Sequence, residues 1–386
     1  MAQVTRDRLR AYSEEIARAV EEAAFELGPE MLELVALFRA ASDEEERAVW
    51  RSALAEAYWA AVANGQEACC ALADELWRET ALAEGIERKA PAVHKVMGRD
   101  EAMARIRSVM ACLFERGWDD AKVLRSLQAT LRASVEAAPN TAMAESIARA
   151  AAAQGSLRYA RVPADAEACG FCFMISSLGF AYEAKGKGPD HPNHPNCRCR
   201  VVPGFEGKTE VEGFDFAAMR GRWEQCEATL ALPPDVNGKE RDRLIQAECE
   251  TRDPDWLWFG RVPEITFESD DLKDEIGRER PHELVTAERL RKHGIRCDFV
   301  DDSAGLADFA SGSEIKTLDG AASRNTIESH LKSASKKRNA RVVYFDNSGN
   351  GAMGDAELER YLAESRRFRR GSVYAIGHGG TLRKIR

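Results

Sequence analysis

The first 155 residues repeat apolar positions at intervals of three and four, as in the segment RDRLRAYSEEIARAVEEAAFEL. This spacing gathers apolar side chains on one face of an α-helix. The pattern predicts a helical body over 1–155 that serves as a scaffold and packs against partners. A helix capped by Asn140 or Thr141 is predicted to close this body. Prolines predict helix boundaries near Pro29, Pro91 and Pro139.

The pattern changes after residue 155. Over 156–205 helical spacing stops, and Cys, His, Pro and Gly appear together. Residues 206–280 are mixed in character. Their charged run ESDDLKDEIGRERP predicts a solvated linker that follows a short helical region.

Residues 281–386 alternate between helical and strand-like patterns in the order α-β-β-β-α-β-α-β. Within them, LADFASGSEIKTL predicts a β-hairpin whose turn is Ser311–Gly312–Ser313. The chain is therefore predicted to be multidomain, because a small α/β (α+β) domain follows the all-α body. The predicted divisions are a helical body 1–155, a Cys/His segment 156–205, a mixed linker region 206–280 and an α/β domain 281–386.

Charge is distributed unevenly along the chain. The whole sequence carries a net charge of −9, yet residues 281–386 hold 19 Lys and Arg against 14 Asp and Glu, or +5. A basic domain on an acidic remainder indicates that the C-terminal part is the one that meets polyanions. The sequence contains neither a long uncharged apolar stretch nor the apolar core of a signal peptide, so we expect no membrane partner and a cytoplasmic site of synthesis.

Four of the ten cysteines cluster with histidines in the run ACGFCFMISSLGFAYEAKGKGPDHPNHPNCRCR. A C-x-x-C pair presents two thiolates to one ion, and the long loop brings an H-x-x-C pair back to complete a tetrahedron. This pattern predicts a structural zinc site in a reducing compartment, since four protein ligands leave no open position for water. Free thiols and loop histidines are the alternative interpretation. The preferred ligands are Cys169, Cys172, His194 and Cys197, with His191 and Cys199 as substitutes.

The segments SLRYARVP, C-x-x-C and HPNCRCRVVP together resemble the phage Mu F-like head-morphogenesis (minor capsid) family over roughly residues 100–205. The resemblance implies a minor head component with phage portal and capsid proteins as partners. It also implies a variable C-terminal extension, which in some members of that family is a toxin domain.

Carboxylates and a lysine are concentrated in the predicted hairpin. Glu314 and Lys316 are two residues apart on one strand, so they point to the same face, and Asp308 lies on the other arm. Glu283 begins the preceding predicted helix, whereas Glu288 lies on another helical face. Phosphodiester cleavage needs charge neutralisation at the phosphate and an activated water, and a divalent cation held by carboxylates supplies both. The pattern predicts Glu283, Asp308 and Glu314 as ligands of Mg²⁺ or another divalent cation, and Lys316 as the residue that positions the water or stabilises the developing charge on the phosphate.

This constellation resembles the PD-(D/E)XK nuclease core, and in particular the tRNA nuclease domain of contact-dependent growth-inhibition toxins. The matching segments are ADFASGSEIKT, NTIESHL, ARVVYFD and VYAIGHGG, preceded by Glu283. Ala307 replaces the first residue of the P-D pair, and His378 replaces a residue that is often acidic. The resemblance implies a toxin-like ribonuclease, with a cognate immunity protein as a further partner. Thr317 is expected to support the site.

Basic residues in the same domain are predicted to contact nucleic-acid phosphates, since such binding is chiefly electrostatic; a solvated basic face is the alternative. The predicted contacts are Arg324, Lys336, Lys337, Arg338 and Arg341. The sequence thus predicts a phage or prophage minor head protein with a C-terminal metal-dependent ribonuclease acting on tRNA or other RNA, in the virion and the host cytoplasm. A DNA endonuclease and a purely structural capsid protein are the alternatives.

Overall fold

The chain divides into two units, Met1–Ala168 with Leu178–Phe214 and Cys169–Ser177 with Asp215–Arg386, called unit 1 and unit 2. The computed structural model describes residues 3–83, 86, 96–151, 157–163, 169–182, 199–302, 305–318, 320 and 322–386. Among the described helices, none is both long enough and apolar enough to cross a membrane.

Unit 1 is built on long helices that pack along their apolar stripes. On the first helix, buried Ile16, Val20 and Leu27 recur at the spacing that the sequence pattern predicts. The predicted helical body is therefore confirmed. Its helices are α1 Arg6–Ala40, α2 Glu44–Ala83, α3 Arg99–Glu115 and α4 Asp120–Ala151.

Two of the predicted helix boundaries are wrong. Pro29 lies inside α1 and Pro139 inside α4, while Pro91 lies outside the described residues. An interior proline costs about 3 kcal/mol because it removes a hydrogen bond and crowds the preceding turn. Burial of Met31 and Val35 just beyond Pro29 offsets that cost, since each buried apolar side chain contributes about 1.5–3 kcal/mol.

Unit 1 also contains strands that the sequence pattern did not predict. The strand β1 (Gln3–Val4) runs parallel to β4 (Glu210–Val211), and β2 (Leu157–Pro163) pairs antiparallel with β3 (Cys199–Phe205). Asn140, predicted as a helix cap, lies within α4. Its side-chain amide donates to the Cys199 carbonyl at 2.8 Å and accepts from the Val201 N–H at 3.0 Å, so it joins α4 to β3.

Unit 2 contains shorter elements. Its helices are α5 Gly170–Ser176, α6 Phe216–Leu230, α7 Gly238–Cys249, α8 Pro254–Phe259, α9 Asp270–Glu279, α10 Pro281–Lys292, α11 Arg324–Ala334 and α12 Asp355–Glu364. Its strands are β5 Ile265–Phe267, β6 Cys297–Phe299, β7 Ser313–Thr317, β8 Val342–Asp346, β9 Ser372–Ile376 and β10 Leu382–Lys384.

A four-stranded sheet in the order β10-β9-β8-β7 organises unit 2. The strands β7, β8 and β9 are mutually parallel, and β10 is antiparallel to β9. One face buries Val343 and Val373 with residues of α11 and α12, while the other buries Tyr344 and Tyr374 with residues of α9 and α10. The helices and strands predicted for residues 281–386 are present apart from the first hairpin arm, and β10 is an addition.

The predicted hairpin is only partly formed. Its second arm is β7, but its first arm makes a single bridge, from Phe309 to Phe299 of β6. Gly312 shapes the turn between the arms with φ +80°, and a Cβ there would lie 2.4 Å from the Asn339 carbonyl oxygen. Only glycine meets both demands without strain.

The charged segment predicted as a solvated linker forms α9 instead. Leu272 and Ile276 of α9 are buried in the same core as Tyr344 of the sheet. These two residues are four apart, so they form an apolar stripe on one face of α9. The linker prediction was wrong because it rested on the many charged residues around this stripe.

A buried ion pair attaches α7 to the sheet of unit 2. Glu248 Oε1 lies 2.6 Å from an Arg252 guanidinium nitrogen, and the two side chains are 0% and 2% exposed. Tyr374 of β9 donates to Glu248 Oε2 at 3.0 Å, and Lys384 Nζ of β10 lies 3.4 Å from it. Residues before 281 are thus part of the folded unit that contains the sheet.

We expect Glu248→Ala to destabilise unit 2 by about 3–5 kcal/mol, because it leaves the Arg252 charge buried without its partner. Native-state hydrogen exchange of the β8 and β9 amides measures this change. Glu240→Ala, on the exposed side of the same helix, is the control and should change protection little. Equal protection in the two variants would contradict the assigned role of Glu248.

Candidate active site

The strand β7 separates a polar pair from the apolar core. Glu314 and Lys316 share one face, while Ile315 packs on the other face with Tyr344 and Ile376. The main chain of β7 is held by parallel pairing with β8, in which Glu314 lies opposite Val343. Pairing with β8 therefore fixes the backbone of the two predicted catalytic residues, although β7 is the edge strand of the sheet.

Glu314 is a buried carboxylate beside a lysine. Its side chain is 0% exposed, and Lys316 Nζ lies 2.6 Å from Oε1. Despite this ion pair, neither oxygen of Glu314 has a well-aligned hydrogen bond from a described residue, and the same holds for Glu283 Oε2. Buried carboxylate oxygens are costly when their hydrogen-bonding capacity is unmet, so these atoms suit an additional cation.

Asp308 is the second buried carboxylate of the cluster. Its Oδ2 accepts the Ile315 N–H at 2.8 Å, which places the Asp308 carboxylate next to β7. Burial, followed by the negative charge of Glu314, raises the pKa of Asp308 to about 7. Burial likewise raises the pKa of Glu283, whose charge also acts on Asp308. The three predicted metal ligands are thus within electrostatic range of one another.

Three further side chains, Arg280, Asp302 and Lys337, surround these carboxylates. Lys337 Nζ lies 2.9 Å from Asp302 Oδ2 and 4.0 Å from Glu314 Oε2. Arg280 Nη1 lies 3.6 Å from Asp302 Oδ1 and 3.5 Å from Glu283 Oε2. We call this series of contacts the charge ring; its members are Glu283, Arg280, Asp302, Lys337, Glu314 and Lys316. The charges of Glu283, Glu314 and Lys316 act on Asp308.

Arg280 and Asp302 were not among the predicted site residues, and Lys337 was predicted only as a phosphate contact. Two signals were present: Asp302 closely follows a buried strand, and Arg280 directly precedes Pro281 at the start of α10. Neither signal predicts that the turn after α11 brings Lys337 to Asp302, because these two residues are 35 positions apart in the sequence.

The chemistry of the cluster suits a hard divalent cation. In the described part of the chain, no three His, Cys, Asp and Glu side chains gather closely enough to hold a metal ion as they stand. The carboxylates are instead compensated by the chain's own cations, Lys316 at Glu314 and Arg280 at Glu283. Asp308 and Glu314 nevertheless fit such an ion, because they are buried, mutually repelling and incompletely hydrogen-bonded.

A hydrogen-bonded network supports the end of β7. Thr317 lies opposite Asp346 of β8, and its hydroxyl is 2.8 Å from that of Thr286 on α10. Thr286 donates to Asp346 Oδ2 at 2.9 Å, and Arg289 Nη1 lies 2.6 Å from the same oxygen. This network links α10, which begins at the charge ring, to two strands of the sheet.

The other predicted phosphate contacts lie outside the charge ring. Arg324 pairs with Glu364 at 3.3 Å and lies over the Tyr361 ring. The side chains of Lys336, Arg338 and Arg341 are exposed. Their role in nucleic-acid binding stays a prediction.

His378 has a local structural role. One ring nitrogen lies 2.7 Å from Asp355 Oδ1 at the start of α12, and the other lies 2.7 Å from the Asn350 carbonyl oxygen. The histidine therefore joins the loop after β9 to the loop before α12, in the position where the resembled domains often have an acidic residue.

The predicted zinc segment is described only in part. Cys169 is the N-cap of α5 and Cys172 is buried within that helix, while buried Cys199 begins β3. The other predicted ligands, His191, His194 and Cys197, lie outside the described residues. The zinc site thus stays a prediction.

Comparison with known proteins gives one family. Residues 3–226 match the VG15 protein family, which is more than half of the chain. No curated protein and no solved structure matches the chain. The match covers the helical body, the Cys/His segment 156–205 and most of α6. The chain therefore belongs to the VG15 protein family and is a phage protein.

Proposed function

We propose that unit 2 is a metal-dependent nuclease that cleaves RNA, carried by a minor head protein of a phage. The observation that supports the proposal most is the convergence of Glu283, Asp308, Glu314 and Lys316, which come from a helix, a loop and the edge strand β7. These residues are not part of an ordinary solvated surface, because Glu314 and Asp308 are 0% and 4% exposed. Asp308 and Glu314 repel each other, and the Glu314 oxygens lack hydrogen bonds from the described residues, so this pair favours a further cation in addition to Lys316.

In the proposed reaction water adds across a phosphodiester bond. Its oxygen bonds to phosphorus, the P–O bond to the leaving oxygen breaks, and the water proton ends on that oxygen. Asp308 and Glu314, with Glu283 as the third predicted ligand, would hold a divalent ion, and that ion would supply charge neutralisation and a more acidic water. Lys316, next to Glu314 on the same face, orients the water and stabilises charge on the phosphate.

RNA, and tRNA in particular, is the proposed substrate because the segments around Glu314 resemble tRNA-cleaving toxin domains. The +5 balance of residues 281–386 and the exposed Lys336, Arg338 and Arg341 support phosphate binding. A toxin of this kind requires protection of its producer, so a cognate immunity protein is a proposed partner.

For unit 1 we propose a role in the phage head, with portal and capsid proteins as partners. The family match supports a phage protein, and the resemblance of SLRYARVP and HPNCRCRVVP to Mu F-like proteins supports the head. We further propose one structural zinc, held by Cys169, Cys172, His194 and Cys197. The virion and the host cytoplasm are the corresponding locations.

The substrate is tested with the purified full chain, because residues 215–280 fold with the sheet and cannot be removed safely. Labelled tRNA, a structured non-tRNA RNA and duplex DNA are incubated with Mg²⁺ or with EDTA. We expect Mg²⁺-dependent cleavage of tRNA ahead of the other substrates. Cleavage of DNA alone would support the endonuclease alternative, and inert protein with every substrate would support a structural role.

A further inference from the structure

We propose that Lys337 is a second lysine of the active site that contacts the substrate phosphate, and that Asp302 is its positioning residue. This inference rests on the proposed nuclease function. It moves Lys337 from the predicted phosphate contacts to the active site and adds Asp302. It separates Lys337 from its exposed basic neighbours.

The first support is the direction of the side chain. Lys337 Nζ reaches inward to Asp302 Oδ2 at 2.9 Å and to within 4.0 Å of Glu314 Oε2, and its side chain is 16% exposed. Lys336, the preceding residue, is exposed. An ammonium group directed at a buried carboxylate is unlike a solvated lysine, whose head remains in water.

The second support is the attachment of the turn that carries Lys337. The Arg338 N–H donates to the Gly305 carbonyl at 2.9 Å, and the Ala307 N–H donates to Asn339 Oδ1 at 2.7 Å. The turn after α11 is thereby fastened to the segment that leads into Asp308. These two hydrogen bonds therefore hold the turn that carries Lys337 next to the segment that carries Asp308.

The third support is the excess of cations at Glu314. Lys316 already lies 2.6 Å from this carboxylate, so neutralising Glu314 does not require a second lysine at 4.0 Å. Asp302 holds Lys337 in place and is itself contacted by Arg280 on its other oxygen. A fixed ammonium beside the carboxylates is suited to a phosphate oxygen, where it stabilises developing negative charge and keeps its proton.

The test compares Lys337→Gln with Lys332→Gln in the full chain. Lys332 is an exposed lysine on α11, so its replacement removes the same charge from the same unit without touching the charge ring. We expect Lys337→Gln to lower kcat for RNA cleavage by about 10²–10³, as for loss of one preorganised donor to the transition state. Lys332→Gln should keep the wild-type kcat.

Two further variants separate positioning from structure. Asp302→Asn should lower kcat by about tenfold or more while retaining the thermal melting of wild type, because it weakens the hold on Lys337 without emptying the space. Lys337→Arg should restore part of the activity that Lys337→Gln loses, since the charge is retained. Melting curves establish that the compared variants are folded.

The outcomes distinguish the two levels of the proposal. An inert wild-type chain overturns the nuclease function and this inference with it. An active wild type, with Lys337→Gln as active as Lys332→Gln, overturns the role of Lys337 alone. The role of Lys337 is also overturned if Lys337→Gln raises only KM and if low salt restores the wild-type KM. Such a result is expected of a lysine that attracts the nucleic acid from a distance.

Discussion

Glu314→Gln is expected to abolish metal-dependent RNA cleavage, with a loss of at least about 10³ in kcat/KM. Glutamine keeps the shape of the side chain but removes the charge that would hold the cation. The loss of several kcal/mol of transition-state stabilisation corresponds to about a thousandfold or more in rate. Gel assays with labelled tRNA under single-turnover conditions measure this loss.

The matched control is Glu288→Gln on α10. Glu288 is exposed and pairs with Arg291 at 2.7 Å, so its replacement should leave cleavage unchanged. Glu314→Gln should also remain folded, because it relieves repulsion with Asp308 even as Lys316 loses its partner. Equal cleavage by the Glu314 and Glu288 variants would remove Glu314 from the active site.

Glutamine at Glu314 is preferable to alanine at Asp308 for structural reasons. The Asp308 carboxylate accepts the Ile315 N–H, so alanine there leaves a buried main-chain donor unpaired at a cost of about 1–3 kcal/mol. Lost activity in Asp308→Ala therefore mixes a chemical effect with a structural one.

Cys172→Ser is expected to remove the proposed zinc and to destabilise the segment around residues 160–205. Structural zinc supplies folding free energy directly, with apparent binding free energies of about 10–16 kcal/mol in zinc-finger peptides. Metal analysis of the purified full chain should give one zinc per wild-type chain and much less for the variant. Hydrogen exchange should show lost protection in β2 and β3.

Cys112→Ser is the control for this prediction. Cys112 lies on α3, where its thiol hydrogen-bonds to the Ser108 carbonyl, far along the sequence from the Cys/His segment. Its replacement should leave the zinc content unchanged. A wild-type chain without zinc, or a Cys172 variant that retains a full equivalent, would contradict the proposed site.

Local sequence patterns predicted the elements of residues 281–386 well. Residues close together in the sequence determine these elements. They form the apolar runs of β8 and β9 and the amphipathic stripes of α10 and α11. The shared face of Glu314 and Lys316 follows from the two-residue repeat of a strand. Glu283 and Asp308 could be assigned to the same cluster once a helix and a turn were predicted on either side of β6.

Tertiary packing accounts for what local patterns missed. Pro29 was predicted to end a helix, but α1 continues past it because apolar side chains on both sides of Pro29 are buried. The charged run at α9 was predicted as a linker because most of its residues are charged. Two buried side chains, Leu272 and Ile276, are nevertheless enough to pack this helix against the core. Asp302 and Lys337 meet across 35 residues, and no periodicity encodes that contact.

The central claim is that the carboxylate cluster of unit 2 cleaves RNA with a divalent cation. Its most direct test is a single gel experiment with labelled tRNA, in which wild-type chain and Glu314→Gln are each incubated with Mg²⁺ or EDTA. The account predicts cleavage only by wild type with Mg²⁺. Intact tRNA in all four reactions, or cleavage by both proteins in EDTA, would contradict it.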